Sequence, residues 1–168
     1  WEHSPDHIQW TFHLQPEGRW SDGKPLTAHD FVYSFKRILS PRIASEYASM
    51  LYPLKNAQAF NEGKITDFAQ VGAEAADDLT LKLTLAGPTP YLPGMTKHYS
   101  WFPVPRHVIE RFGEMTERDT KWTRTGNLVG SSAPTANGVG HVLALAPDKK
   151  RLDAGGEFTT VAGVPRSR

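Results

Sequence analysis

The stretch Trp20-Ser-Asp-Gly-Lys-Pro-Leu-Thr-Ala-His-Asp-Phe-Val-Tyr-Ser-Phe35 decides how this 168-residue chain begins to fold. It opens with the residues of a tight turn: the Asp22 carboxylate can accept hydrogen bonds from the backbone ahead of it, and Gly23 tolerates a positive φ. Upstream, residues 8–14 alternate apolar and polar side chains, which predicts a half-buried strand. The chain therefore leads from a strand through a turn into the segment that follows.

That segment predicts an amphipathic helix over residues 28–39. Thr27 is a favourable N-cap, and Asp30 stands three residues later, where it completes a capping box and suits the positive end of the helix dipole. The Ser40-Pro41 pair ends the helix. Its predicted apolar stripe has helical spacing and consists of Phe31, Phe35, Ile38 and Leu39.

Further along, short strands and short helices are mixed. Residues 80–85 alternate as a second strand, and residues 71–76 are extended with an ambiguous period. Residues 91–98 form a short apolar segment. Further helices are predicted over 44–51, 56–62 and 106–112. The fold class predicted from these elements is mixed α/β.

Composition excludes several classes of protein. The 19 basic and 18 acidic side chains give a net charge of +1, which argues against a nucleic-acid-binding surface. The chain has no cysteine, so disulfides and thiolate metal sites are excluded. No apolar run reaches the 18 or more residues of a transmembrane helix. The chain opens at Trp1 without a signal segment, so either a signal was removed or the true N-terminus is missing, and we expect the second.

Side chains that suggest catalysis or metal binding have simpler interpretations. Asp22 and Asp30 read as turn former and helix cap rather than as an acid–base pair. His3 and His7 have the i, i+4 spacing of metal ligands, but Pro5 interrupts them and no third ligand is evident. The predictions are no catalytic residue, no metal site and no cofactor, so the chain is not expected to be an enzyme.

The remaining candidates carry weak signals. None of Ser34, Ser40 and Ser100 lies in a nucleophile elbow. Residues 126–130 lack the Lys-Ser/Thr of a phosphate loop, and Gly138-Val-Gly140 is too little for dinucleotide binding. The Lys149–Arg151 run reads as a solvated surface. Four tryptophans are candidates for lining a cleft. Trp10 and Trp20 are expected in packing roles, whereas the roles of Trp101 and Trp122 are left open.

Two segments carry a resemblance to a known family. Trp10-Thr-Phe-His-Leu14, followed by Trp20-Ser-Asp-Gly-x-Pro-x-Thr-Ala-x-Asp-Phe31, resembles the signature region of the family 5 extracytoplasmic solute-binding proteins, the oligopeptide-binding components of ABC importers. Similar segments follow in the family's order at residues 40–48, 56–64, 77–85, 88–91, 102–105 and 126–130. The resemblance covers residues 1–130.

The resemblance implies a two-lobed periplasmic-binding-protein fold of type II, which closes on a ligand held between its lobes. This chain then corresponds to part of the N-terminal lobe. The implied partners are a peptide, or another solute such as a nickel complex, and a membrane permease; the implied state is a monomer on the extracytoplasmic face of the membrane. Because family members contact peptide mostly through later residues, the resemblance assigns no ligand-binding residue here.

Residues 131–168 depart from the family and form a predicted second segment. They hold one aromatic residue, Phe158, against 17 in residues 1–130, and their only apolar run is Val142–Leu145. We expect this tail to be weakly ordered. The family's Tyr-containing turn, its Trp-containing strand and its Asn-Pro-x-Tyr-Trp segment are absent from it.

A frameshift is one hypothesis for the departure. Codons for Ala136–Gly140, read one nucleotide later, can encode Leu-Thr-Glu-Trp-Val, which is similar to the family's continuation. Coding DNA without such a frame would end the hypothesis. The function predicted by resemblance is solute binding for an ABC importer, and the alternatives are a truncated, non-functional remnant and the ligand-sensing domain of a regulator.

Overall fold

The computed structural model describes residues 1–132, 143–145 and 152–154. Its strands, in chain order, are β1 (Glu2–His3), β2 (Gln9–His13), β3 (Arg19–Trp20), β4 (Ala73–Asp77), β5 (Thr80–Thr84), β6 (Ser131–Ser132), β7 (Leu143–Leu145) and β8 (Leu152–Ala154). Four of them form an antiparallel sheet in the order β1-β2-β5-β4. The others form two separate antiparallel pairs, β3 with β6 and β7 with β8.

The α-helices are α1 (Ala28–Leu39), α2 (Ala57–Asn61), α3 (Leu92–Met95) and α4 (Arg106–Phe112). Single turns of 3₁₀ helix lie at Ala48–Leu51, Phe68–Gln70, Tyr99–Trp101 and Lys121–Thr123. The architecture is therefore mixed α/β. In the part of the chain that the structure describes, no helix is long and apolar enough to cross a membrane.

The predicted strands and the capped helix are confirmed. β2 pairs with β5 in the register that places Trp10 opposite Leu83, so that both side chains face the core. Helix α1 has the predicted bounds, and Thr27 and Asp30 form both bonds of its capping box. Gly23 has the expected positive φ, 84°. These elements formed as predicted because their signals are local.

One predicted helix is wrong in its first half. Residues 44–47 are not helical, and only Ala48–Leu51 forms a single 3₁₀ turn. Ala44 has a left-handed φ of 48°, and its N–H donates to the Pro41 carbonyl at 3.2 Å, which makes a turn instead of a helix start. The residues around Pro41 are held in turns before a helix can begin.

The hydrophobic core lies between α1 and the sheet. Phe35 and Leu39 of α1 are almost completely buried, whereas Phe31 and Ile38 pack at the core's margin. The rest of the core comes from the sheet and from the short helices; its largest members are Trp10, Leu51, Leu54, Phe60, Phe68, Leu81, Leu83, Leu85, Leu92 and Trp101. A second face of α1 is also buried, because Tyr33 and Ser34 are covered.

Residues 130–132 lie against the turn at Trp20. The Ser21 N–H donates to the Gly130 carbonyl at 2.7 Å, and the Gly130 N–H donates back to Ser21 Oγ at 3.2 Å. Strand β6 therefore continues two residues past the predicted boundary at residue 130. That boundary stays a prediction, and apart from β6, β7 and β8 the tail lies outside the described residues.

Candidate functional site

The turn at Trp20 and the start of α1 share one carboxylate. Asp30 Oδ2 accepts hydrogen bonds from the Thr27 N–H at 2.9 Å and from the Trp20 indole N–H at 3.2 Å. Both Asp30 and Trp20 are buried. A buried carboxylate that already holds two donors is structural, which confirms the interpretation of Asp30 as a cap.

Loss of this carboxylate should destabilise the turn and the helix together. Asp30→Ala leaves the Trp20 indole N–H buried without an acceptor, so the free energy of unfolding should fall by about 2 kcal/mol. Urea denaturation followed by circular dichroism measures this loss. His29→Ala, at the exposed neighbouring position, is the matched control and should change stability by less than about 0.5 kcal/mol. Equal stability of the two variants would contradict the shared role of Asp30.

Asp22 has a second partner that the sequence does not reveal. The carboxylate accepts the Lys24 N–H at 3.2 Å, as its turn role predicts, and also lies 2.7 Å from His107 Nε2 of α4. Burial opposes ionisation of Asp22, but the hydrogen bonds from His107 and Lys24 outweigh it and lower the carboxyl's pKa. The contact joins residues 85 positions apart and anchors α4 to the turn.

The lowered pKa predicts a stability that depends on pH. In the unfolded chain Asp22 has the ordinary pKa of 3.8. Its stabilising contribution is therefore complete above that value and is lost as the pH falls through 3.8 and then through the lower folded value. Urea denaturation between pH 2.5 and 6 should show wild type and Asp22→Asn converging at low pH. The convergence should weaken in a His107→Ala background, and a constant difference at every pH would refute the assignment.

The histidines behave as their sequence positions suggest. His3 and His7 do come together, with ring centroids 4.4 Å apart, but both stack near Trp10 as part of an aromatic group. His13 and His29, at polar positions of β2 and α1, are exposed. No group of three or more potential metal ligands is found in residues 1–132 or in strands β7 and β8. The absence of a metal site stays a prediction.

The serine candidates have structural bonds. The Ser34 hydroxyl donates to the Phe102 carbonyl at 2.7 Å, which fastens α1 to the segment before α4. Ser40 is the C-cap of α1. The Ser100 N–H donates to His98 Nδ1 at 3.3 Å within its own 3₁₀ turn. Each serine thus takes part in a contact that supports the fold.

The four tryptophans separate into core and surface. Trp10 and Trp20 are each 2% exposed, which confirms their packing roles. Trp101 is 3% exposed and lies edge-on to Phe35 at 5.6 Å between ring centroids, so it belongs to the core. Trp122 alone of the four is half-buried, and it lines an apolar pocket with Trp20, Phe102, Pro103, Val104, Pro105, Leu128, Val129, Gly130 and Ser131.

The pocket is too small for a peptide. The space inside it that the centre of a water molecule can reach is about 20 Å³, whereas holding one water needs roughly 10–15 Å³ on the same measure. Trp20, at its wall, is fixed by Asp30. The pocket is therefore a packing feature beside the turn and not an enclosed ligand site.

An exposed aromatic cluster is the stronger candidate surface. Tyr47, His98 and Tyr99, named here the tyrosine cluster, bring together the 3₁₀ turns at 48–51 and 99–101. The Tyr47 and Tyr99 rings meet edge to face at 5.4 Å, and His98 stacks on Tyr99 at 4.2 Å. Tyr47 and Tyr99 are 48% and 52% exposed. Partial burial and a hydrogen bond with Tyr47 raise the pKa of Tyr99, so the Tyr99 hydroxyl stays protonated near neutral pH.

A protein-family model identifies the family of this chain. Residues 1–133 match the model of the bacterial extracellular solute-binding proteins, family 5, middle. The chain belongs to this family. The membership confirms the resemblance found in the sequence, and because these proteins bind solutes, it also confirms that the chain is not an enzyme.

Two of the similar curated proteins are oligopeptide-binding proteins. The chain is 46% identical over 130 residues to the periplasmic oligopeptide-binding protein OppA of Escherichia coli, which covers 75% of the chain and 22% of that protein. OppA of Haemophilus influenzae is 39% identical over 135 residues and is covered to 24%. The chain thus spans less than a quarter of the length of these relatives.

Solved structures of the family share the fold. The complex of Haemophilus influenzae OppA with the peptide RPPGFSPFR matches 77% of this chain and 24% of its own chain, at a TM-score of 0.70 and 40% identity. Listeria monocytogenes OppA bound to peptide matches 76% of this chain and 24% of its own, at a TM-score of 0.69 and 30% identity. The predicted class, a mixed α/β part of a periplasmic binding protein, is confirmed.

Proposed function

We propose that this chain forms part of the peptide-binding component of an ABC importer, and that the tyrosine cluster contributes to the wall facing the ligand. The observation that supports the proposal most directly is the family match over residues 1–133, together with two matched relatives solved with peptide. The extracytoplasmic location, the membrane permease as partner and the monomeric state are parts of the same proposal.

The tyrosine cluster suits an extended peptide. Aromatic side chains offer a large contact area with few rotatable bonds, and tyrosine adds a hydroxyl that can bond main-chain groups. The two tyrosines hold each other edge to face, so little conformational freedom is left to lose on binding. The neighbouring carboxylate of Glu46 adds negative charge, to which basic peptides would be attracted.

The chain by itself supplies only one wall of the proposed site, and we expect it to bind peptide weakly. A ligand site in this class encloses its ligand, and enclosure supplies most of the buried area. We expect the 168-residue chain to bind RPPGFSPFR with a Kd weaker than about 1 mM, which corresponds to less than about 4 kcal/mol of binding free energy. Isothermal titration calorimetry measures it, and tight binding by the chain alone would overturn the need for a second wall.

A chimera tests the role of the cluster. Residues 1–132 would replace the aligned segment of Haemophilus influenzae OppA, and the chimera should bind RPPGFSPFR. Tyr99→Ala in the chimera should weaken binding about fivefold, since one aromatic contact is worth roughly 1 kcal/mol. Tyr91→Ala, at a tyrosine that is 64% exposed and has no ring contact among the described residues, is the matched control. Unchanged affinity in Tyr99→Ala would contradict the proposal that the ligand contacts the tyrosine cluster.

The tail is a separate proposal. We infer that the tail predicted at residues 131–168 stands outside the family domain; this is supported by the family match, which ends at residue 133. The frameshift remains the hypothesis for its origin. A non-functional remnant is the alternative reading, and a chimera that folds but binds no peptide would favour it.

A further inference from the structure

Three buried polar atoms of α1 and the loop after α4 have no hydrogen-bond partner among the described residues. Tyr33 is 7% exposed, and its hydroxyl forms no hydrogen bond with any described residue. The same holds for Arg37 Nη1, one helical turn further along α1, and for the Thr120 hydroxyl. Residues four apart on a helix share a face, so the Tyr33 and Arg37 groups lie side by side.

Arg37 is the unusual member of this group. Its Nη2 donates to the Glu117 carbonyl at 3.3 Å, but within residues 1–132 it forms no ion pair. Burial lowers the pKa of its guanidinium. A half-buried guanidinium with an unused inner N–H is costly unless an acceptor meets it. Arg37 therefore carries a positive charge and a buried Nη1–H group that has no acceptor among the described residues.

The surrounding charges leave that positive charge uncompensated. The Arg106 guanidinium lies 5.7 Å from the centre of the Tyr33 ring and is paired with Glu110 at 3.0 Å. The Glu117 carboxylate accepts the Glu114 N–H at 3.2 Å, and within residues 1–132 it forms no ion pair with Arg37. Arg106 and Glu110 cancel each other, so the balance beside Tyr33 and Arg37 is positive.

The Tyr33 hydroxyl stays a donor under ordinary conditions. Burial, together with the nearby Glu110 charge, raises the pKa of Tyr33 to about 12. The group can therefore donate to an anion at neutral pH. Two donors on neighbouring turns of α1, one of them charged, match the two oxygens of a carboxylate.

We propose that Arg37 and Tyr33 form a binding site for a small carboxylate anion between α1 and the loop at 113–120, with Thr120 as a further donor in that loop. The site is independent of the tyrosine cluster and of peptide binding. An anion held there would satisfy Arg37 Nη1 and the Tyr33 hydroxyl together, and would stabilise the folded state because the unfolded chain lacks the site.

Acetate is the probe, and thermal unfolding of the 168-residue chain is the first readout. In a zwitterionic buffer at constant pH, sodium acetate at tenfold its Kd should raise Tm by about 3–6 °C in a saturable manner. Arg37→Gln should abolish the saturable rise. Lys36→Gln is the matched control, because it removes the same charge from the exposed neighbouring position on α1, and it should retain the rise.

Tyr33→Phe keeps the proposal falsifiable if Arg37→Gln does not fold. This variant removes only the hydroxyl and keeps the packed ring, and calorimetric titration with acetate should show a several-fold weaker Kd than in wild type. No saturable effect of acetate on wild type would overturn the proposal. So would an equal affinity in Tyr33→Phe, or an effect that Lys36→Gln loses as completely as Arg37→Gln.

Discussion

Replacing Gly72 with alanine is expected to disrupt the edge of the sheet. Gly72 lies between the segment at Lys55 and the end of β5, and its N–H donates to the Lys55 carbonyl at 2.9 Å. Its carbonyl accepts the Thr84 N–H at 2.9 Å. A Cβ at this position would overlap the Thr84 carbonyl oxygen and would lie 2.9 Å from the Thr84 carbonyl carbon.

Backbone cannot move aside as a flexible side chain can. The overlap therefore has to separate Gly72 from β5, which breaks the hydrogen bond from the Thr84 N–H to the Gly72 carbonyl. We expect Gly72→Ala to lower the free energy of unfolding by about 3 kcal/mol or more, at the upper end of what overpacking costs. Urea denaturation, monitored by circular dichroism, measures the change.

Gly87→Ala is the matched control for this substitution. A Cβ at Gly87 meets nothing within 4 Å, and the position does not have a left-handed φ. The control should stay within about 0.5 kcal/mol of wild type. If Gly72→Ala were as stable as Gly87→Ala, the close approach of the two backbones would be wrong.

Removing the Phe35 ring is the second large expected loss. Phe35 is 1% exposed, and its ring contacts Trp101 edge-on and Phe31 on the same helix. Phe35→Ala removes the side chain that joins α1 to the turn at 99–101. The free energy of unfolding should fall by about 3–5 kcal/mol, because apolar contact is lost and a cavity remains.

A graded series separates cavity from local helix effects. Phe35→Leu keeps most of the buried volume and should lose less stability than Phe35→Ala. Lys36→Ala, one residue along on the exposed side of α1, should change stability by less than about 0.5 kcal/mol. A loss in Phe35→Ala no greater than that in Lys36→Ala would contradict the placement of α1 against Trp101.

The sequence predicts those parts of this fold whose signals are local. Helix α1 has the predicted bounds because Thr27, Asp30 and Ser40 mark its ends within a few residues of it. The strand at β2 follows from strict alternation. The helix predicted at 44–51 failed because the left-handed turn at Ala44, set by contacts after Pro41, outweighs the propensity of its residues.

The candidate site was less predictable because distant residues build it. Tyr47 meets His98 and Tyr99 across about fifty positions, and neither segment carries a pattern that points to the other. Asp22 likewise meets His107 only in the fold. Gly72 looks ordinary in the sequence, since only the approach of β5 excludes a side chain there.

The pairing of β3 with β6 has a consequence for how the chain is made. Trp20 and Ser131 pair directly, and Ser21 and Gly130 bond each other across 109 positions. Contacts between such distant residues form late, since a long loop must close first. During synthesis the segment around Trp20 leaves the ribosome long before its partner exists. Until Gly130 and Ser131 emerge, the edge of β3 that pairs with β6 stays unpaired on the nascent chain. We expect a chaperone that binds exposed backbone to bind this edge.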